Sequence, residues 1–218
     1  MPRPRSLTPQ AIAQAALAIV DRDGLARLSM RTVASELSVG TMSLYRYVAG
    51  RDELLGLVMD EVVGGLDVSG PAGASWRERV ELLIERVRKA IHVHPAVVPL
   101  LLTQRHTSVA SLRWGEAMLH ALHDGGFEGS ARALAFRALL SYVIGAVQVE
   151  HYGPLSGPGT EALAQLPAAE FPYLVEAAGS ARRLPVEQEF QAGLGLLLSG
   201  LEQSRGVRRG RRGSRTRS

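Results

Sequence analysis

Between residues 41 and 47 the side chains of Thr41, Met42, Ser43, Tyr45, Arg46 and Tyr47 offer hydroxyls, a guanidinium and an adaptable apolar group. Spread over about two helical turns, such a set can meet base-pair edges in a DNA major groove and the phosphates beside it. A plain solvated helix more often carries Lys and Glu. Leu44 and Val48 are spaced to face a core, which leaves the polar residues on the outward side. Other chemistries find no matching pattern. There is no Ser/His/Asp arrangement, phosphate-binding loop or clustered carboxylate pair, so an enzyme is not expected. The pairs His92/His94 and His120/His123 have no carboxylate or cysteine at ligand-like spacing beside them. Neither a metal nor another cofactor is expected.

The polar face needs a scaffold. Apolar positions recur at three and four throughout and period-two alternation is absent, so the expected fold is all-α. Thr8-Pro9 reads as an N-cap with proline at N1 of a first helix, whose Ile12, Ala16, Ile19 and Val20 share one face until Asp23-Gly24. Ser29 caps a short second helix burying Val33, Ala34 and Leu37. Ser38-Val39-Gly40 is a turn, a third helix runs over 41–48, and Arg51-Asp52-Glu53 opens a fourth that ends at Gly64-Gly65. Two short helices joined by a tight turn, the second polar on one face, form a helix-turn-helix, which places its second helix in the major groove. Further helices are expected over about 75–94, 96–105, 108–123, 130–151 and 186–203, with two short ones near 161–165 and 168–178.

Composition sets bounds. The chain has 218 residues, 46% of them hydrophobic and 21% charged, and no cysteine. Disulfide and thiolate chemistry are excluded, and a reducing cytoplasm is the compatible compartment. Gln14 and Asp21-Arg22-Asp23 spoil a secretory-signal reading of the start, and no run of apolar residues suggests a membrane span. Charge is unevenly placed: seven Arg against five acids give +2 over 1–55, and eleven basic against sixteen acidic side chains give −5 over 56–204. Seven Arg and no acid give +7 over 205–218. The ends, not the acidic middle, attract a polyanion. The expected division is a DNA-binding domain at 1–50, a ligand-binding and dimerisation domain at 51–204 and a disordered Arg-rich tail at 205–218.

The run from Leu28 to Val48, followed by Arg51-Asp52-Glu53-Leu54-Leu55, resembles the DNA-binding region of the TetR family. Its pattern there is L-x-V-x-x-x-x-L-Y-x-[HY]-[FV] followed by K/R-[DE]-x-L-[LI]. The sequence departs from it at Ser38, where glycine is usual, and at Tyr47, where histidine is commoner. A left-handed backbone at Ser38 would cost about 1 kcal/mol. The resemblance implies a sequence-specific regulator, a repressor released from its operator by a small, largely apolar ligand. It implies a DNA-facing set of Ser29, Met30, Arg31, Thr41, Met42, Ser43, Tyr45, Arg46, Tyr47 and Arg51. Within that set Arg46 is the direct reader, Tyr45 and Tyr47 bind phosphates, and Arg51 is a phosphate clamp. Arg3 and Arg5 add charge from an N-terminal arm. Leu44 reads as core, and Tyr45 as either core or contact.

A single reading head covers one half-site, so a homodimer is expected. Residues 131–150 and 186–201 are the candidate partner helices, the latter resembling the last helix of a tetracycline-repressor-like C-terminal domain. The expected interface is Ala131, Leu139, Val143, Val147, Phe190, Leu194, Leu197 and Leu201, with small residues such as Gly193 and Gly195 allowing close approach. Side chains that combine bulk with a polar tip are candidates to line the effector site: His94, Gln104, His106, Trp114, Met118, Tyr142, Gln148, His151 and Tyr152. Expected partners are therefore operator DNA, a second copy and an unidentified small molecule, with no membrane. Two other readings stay open: an all-α ligand-binding protein or enzyme with a vestigial DNA module, and a nonspecific DNA binder using the Arg-rich end.

Overall fold

The structure is a computed structural model that describes residues 7–153 and 157–213, with side chains described as far as Arg205. It is all-helical, with no strand among the described residues. Arg3 and Arg5 and the last five residues of the expected tail lie outside the described residues. Contacts gather into two compact units, 1–74 with 82–120 and 75–81 with 121–218.

The first unit begins with α1 (Pro9–Asp23), capped by Thr8, whose hydroxyl accepts from the Ala11 amide at 3.1 Å. Gly24, at φ 80, ends it. α2 (Met30–Glu36) starts with a reciprocal capping box: the Thr32 amide donates to Ser29 Oγ at 3.1 Å, and the Ser29 amide donates to Thr32 Oγ1 at 2.9 Å. It ends in a Schellman turn, with Val39 N–H donating to Ala34 O at 2.9 Å and Ser38 N–H to Ser35 O at 3.1 Å. That turn needs a left-handed residue, and Ser38 supplies it at φ 55, the one non-glycine positive φ among the described residues.

α3 is shorter than expected, Thr41–Leu44, and continues as a turn over 45–47. The Tyr47 amide bonds Leu44 O three residues back at 2.8 Å, which tightens the end of the helix. α4 (Arg51–Val63) packs along α1. Ile12, Ala16, Ile19 and Val20 of α1 and Leu54, Val58 and Met59 of α4 are all buried. Each large aliphatic side chain among them contributes roughly 1.5–3 kcal/mol of burial. Arg22 braces the outer side, pairing with Glu36 at 3.0 Å and with Asp23 at 3.0 Å. Its hydrogen bond to Glu36, with Asp23 second, raises its pKa above the ordinary arginine range.

α5 (Trp76–Val93), α6 (Leu100–Thr103) and α7 (Val109–Asp124) follow. Arg86 of α5 holds the preceding loop through the Asp67 carboxylate at 2.8 Å and the Ser69 carbonyl at 2.7 Å. A Ser69 hydroxyl bond, with its amide bond second, lowers the pKa of Asp67. His94 Nδ1 lies 2.8 Å from Asp21 Oδ2, joining the end of α1 to the turn after α5.

In the second unit α8 (Gly129–Tyr152) lies against α11 (Val186–Gly213). By length and composition α8 is apolar enough to cross a membrane, a test that core helices also pass. Its Ala135, Leu139, Val143 and Val147 are buried, as are Phe190, Leu194 and Leu198 of α11. Tyr142 OH donates to Phe190 O at 2.7 Å, and its ring leaves no room for a Cβ at Gly193. The edge of Trp76 meets Phe127, centroids 5.2 Å apart, over Gly125. α9 (Pro158–Ala164) and α10 (Pro172–Ala181) pack on each other. α11 stays helical to Gly213, past the expected start of the disordered tail at 205.

Ser38→Gly should raise stability by about 1 kcal/mol by relieving the left-handed serine. Urea denaturation checks this: the midpoint should rise with the slope unchanged, and an unchanged or lower midpoint would show that the turn carries no strain.

Candidate nucleic-acid interface

The burial of Leu44 and Val48, 0% and 1% exposed, fixes which way the α2–α3 turn faces. Met42 is then 77% exposed, Tyr45 49% and Tyr47 39%, and Arg31 and Arg46 are exposed beside them. Tyr45 is thereby a surface residue rather than core. Thr41 and Ser43 are half-buried at the start of the helix. Gly40 is its N-cap and, having no side chain, supplies no capping bond. Among the described residues neither Arg31 nor Arg46 has an ion-pair partner, whereas Arg22 is held by two carboxylates. The result is an outward patch with two cations, phenolic and aliphatic hydroxyls and a thioether, suited to base edges and phosphates together.

Three members of the expected DNA-facing set do other work. Met30 is buried and belongs to the core of the first unit, because the first turn of α2 points it inward. The Ser29 hydroxyl caps α2. Arg51 is no free phosphate clamp: Nε donates to Leu28 O at 3.1 Å and Nη2 to Leu25 O at 3.0 Å. It ties the start of α4 to the turn between α1 and α2. Glu53 supports the same corner by accepting from the Ala49 amide at 2.6 Å.

The expected effector residues are divided between the two units. His94, Gln104, His106, Trp114 and Met118 belong to the first unit, and Tyr142, Gln148, His151 and Tyr152 to the second. Met118 and Trp114 are buried, with the indole N–H donating to Leu83 O at 2.9 Å. Gln104 accepts from Thr107 Oγ1 at 2.7 Å, and His94 is paired with Asp21. His106, His151 and Tyr152 are exposed. A cavity of about 310 Å³ lies within the second unit between α8 and α11, lined mainly by apolar atoms. Tyr142 is its one wall residue from the expected set; Ser141, Gly145, Ala146, Val149, Val186 and Phe190 are among the others, with Glu150 and Glu189. A signal for it lay in small residues one turn apart on α8 facing the aromatic Phe190.

The expected interface set is also corrected. Leu139, Val143, Val147, Phe190 and Leu194 are already buried within one protomer. The buried stripe of α11 uses Leu198, while Ala131, Leu197 and Leu201 are half-buried. Leu134, 65% exposed, and Leu196, 78% exposed, are instead open to solvent, as are Ala192 and Gly200.

A family model described as the tetracyclin repressor-like C-terminal domain matches residues 70–205. An HTH-type transcriptional regulator of Saccharopolyspora erythraea is 36% identical over 145 residues, covering 66% of this chain and 61% of the relative. The HTH-type transcriptional repressor DrrR1 of Streptomyces coeruleorubidus is 32% identical over 152 residues, 69% of this chain and 56% of its own. The chain thus spans about three fifths of the length of these curated relatives. Apo ActR from Streptomyces coelicolor superposes with a TM-score of 0.82 at 30% identity, over 92% of this chain and 97% of ActR. ActR in complex with actinorhodin gives 0.79 at 30% identity, over 90% and 96%. Because the family model covers more than half of the chain and the helical architecture is that of ActR, the chain belongs to the TetR family of transcriptional regulators.

Proposed function

We propose that this chain is a homodimeric, sequence-specific DNA-binding repressor, acting in the cytoplasm by binding rather than catalysis, and released from its operator by a small, largely apolar ligand. The observation that carries the reading is the outward face of α3 and the turn after it. Arg46 and the two tyrosines stand in solvent there while Leu44 and Val48 anchor the same segment. Residues 1–50 act as the DNA-binding domain and 51–204 as the ligand-binding and dimerisation domain. Arg46 reads a base edge, Thr41, Met42 and Ser43 enter the groove, and Arg31, Tyr45 and Tyr47 grip phosphates.

The first 55 residues carry a net charge of only +2, so a single head has little nonspecific grip. Two heads at the right separation are needed, and the exposed Leu134 and Leu196 provide an apolar centre for a face between two copies. The effector seat is the cavity between α8 and α11, whose volume suits a ligand of modest size and whose walls favour an apolar one. The complex of ActR with actinorhodin and the repressor role in the name of DrrR1 are consistent with ligand-relieved repression.

Arg46→Ala should weaken binding to a duplex from the chain's own promoter region by roughly tenfold or more for each half-site, the worth of one bidentate base contact in each head. Parent-like affinity at moderate salt would remove Arg46 from the reading role. Leu196→Glu should raise the dimer dissociation constant at least about tenfold by burying an unpaired charge. Sedimentation velocity reads this directly, and a dimer of undiminished stability would place the interface elsewhere.

A further inference from the structure

Sulfur is unevenly exposed in this chain. There is no cysteine, so five methionines carry all of it. Met30, Met59 and Met118 are buried, whereas Met42 is 77% exposed and is the one exposed methionine among the described residues. Its direction follows from the anchor of α3. Leu44 is fully buried, and two residues along a helix turn the chain by about 200°, so Met42 stands on the opposite side. The helix-turn-helix therefore holds two methionines of opposite exposure: Met30 opens α2 and points into the core, and Met42, in the first turn of α3, stands in solvent between Thr41 and Ser43.

We propose that Met42 is an oxidation site, and that conversion of its thioether to the sulfoxide by a peroxide lowers the affinity of the reading face for DNA. This deepens the proposed function and rests on it, adding a control that acts at the reading face itself. The sulfur lone pair forms an S–O bond to one peroxide oxygen as the O–O bond breaks. Sulfur gives up two electrons, and the departing hydroxide takes the proton of the transferred oxygen and leaves as water. No thiolate in the chain competes for the oxidant. The product replaces a flexible apolar group, suited to a thymine methyl, with a polar one whose oxygen only accepts hydrogen bonds. Guanine and thymine also present acceptors in the major groove, as do the phosphates beside it, so the new oxygen is unfavourable there. Burial protects Met30 and Met59, so the core of the head is spared. Enzymes of the methionine sulfoxide reductase class reverse the change.

The test treats the full chain with hydrogen peroxide. Peptide mass mapping follows the oxidation, and affinity is read on a duplex that the untreated protein selects from a random-sequence pool. Met42 should gain one oxygen at least about tenfold faster than Met30, Met59 and Met118, and affinity should fall about tenfold in step with it. Methionine sulfoxide reductases with a thiol reductant should restore both. Met42→Leu, measured against its own untreated affinity, should keep that affinity through the treatment, while Met42→Gln should bind more weakly than the parent without any oxidant. Oxidation of Met42 no faster than of Met30 overturns the proposal, as does full conversion of Met42 with affinity unchanged. An equal loss in Met42→Leu also overturns it, by tracing the damage to another residue. If the untreated parent selects no sequence, the DNA-reading proposal falls and the oxidation control with it; selection before treatment and no loss after it removes the oxidation control alone.

Discussion

Leu44 and Val48 enter the core of the reading head with their side chains closed off from solvent. The helix that carries Leu44 has four residues, far below the length at which a helix persists alone in water. Its position is therefore a consequence of burial, and so is the outward direction of Met42, Tyr45, Arg46 and Tyr47. The Schellman turn before it, with Ser38 in the left-handed region, sets the angle at which α3 leaves α2. Everything the chain offers to DNA depends on these two buried side chains.

The corner around α4 extends that constraint. Arg51 and Glu53 bind backbone groups at its start, the α1–α4 seam is filled by large aliphatic side chains, and Asp60 reaches the first turn of α7. The head is thus not a bead on a linker. Its core is continuous with the segment 82–120, and Asp21 adds a second tie through His94.

Much of this was legible in the residues. Caps at Thr8 and Ser29, the stop at Gly24 and the three-four spacing of Ile12, Ala16 and Ile19 are local signals, and local signals locate helices well. The departure at Ser38 also pointed to the strained turn that the structure contains. What spacing could not tell was which partner a side chain meets. Met30 and Arg51 have the types and positions of DNA contacts, yet tertiary packing buries one and carbonyls engage the other. Similarly, Leu139, Val143 and Phe190 lie on apolar stripes that suit a second copy, but helix pairs within one protomer use the same stripes first. Of the cavity's walls only Tyr142 combines bulk with a polar tip in the expected set; the small and aliphatic Gly145, Ala146, Val149 and Val186 carry no such signal.

In the proposed repressor, an anchored, outward-facing α3 reads bases from two symmetric heads. Sequencing the duplexes that parent and Arg46→Ala proteins retain from one random pool tests it most directly. Expected from the parent is a palindromic site whose half-sites lie on one face of the duplex, their centres about 34 Å or a multiple of that apart. Arg46→Ala should lose base preference at a single position in each half while keeping the rest. A pool with no shared site, or an identical site in both proteins, would contradict it.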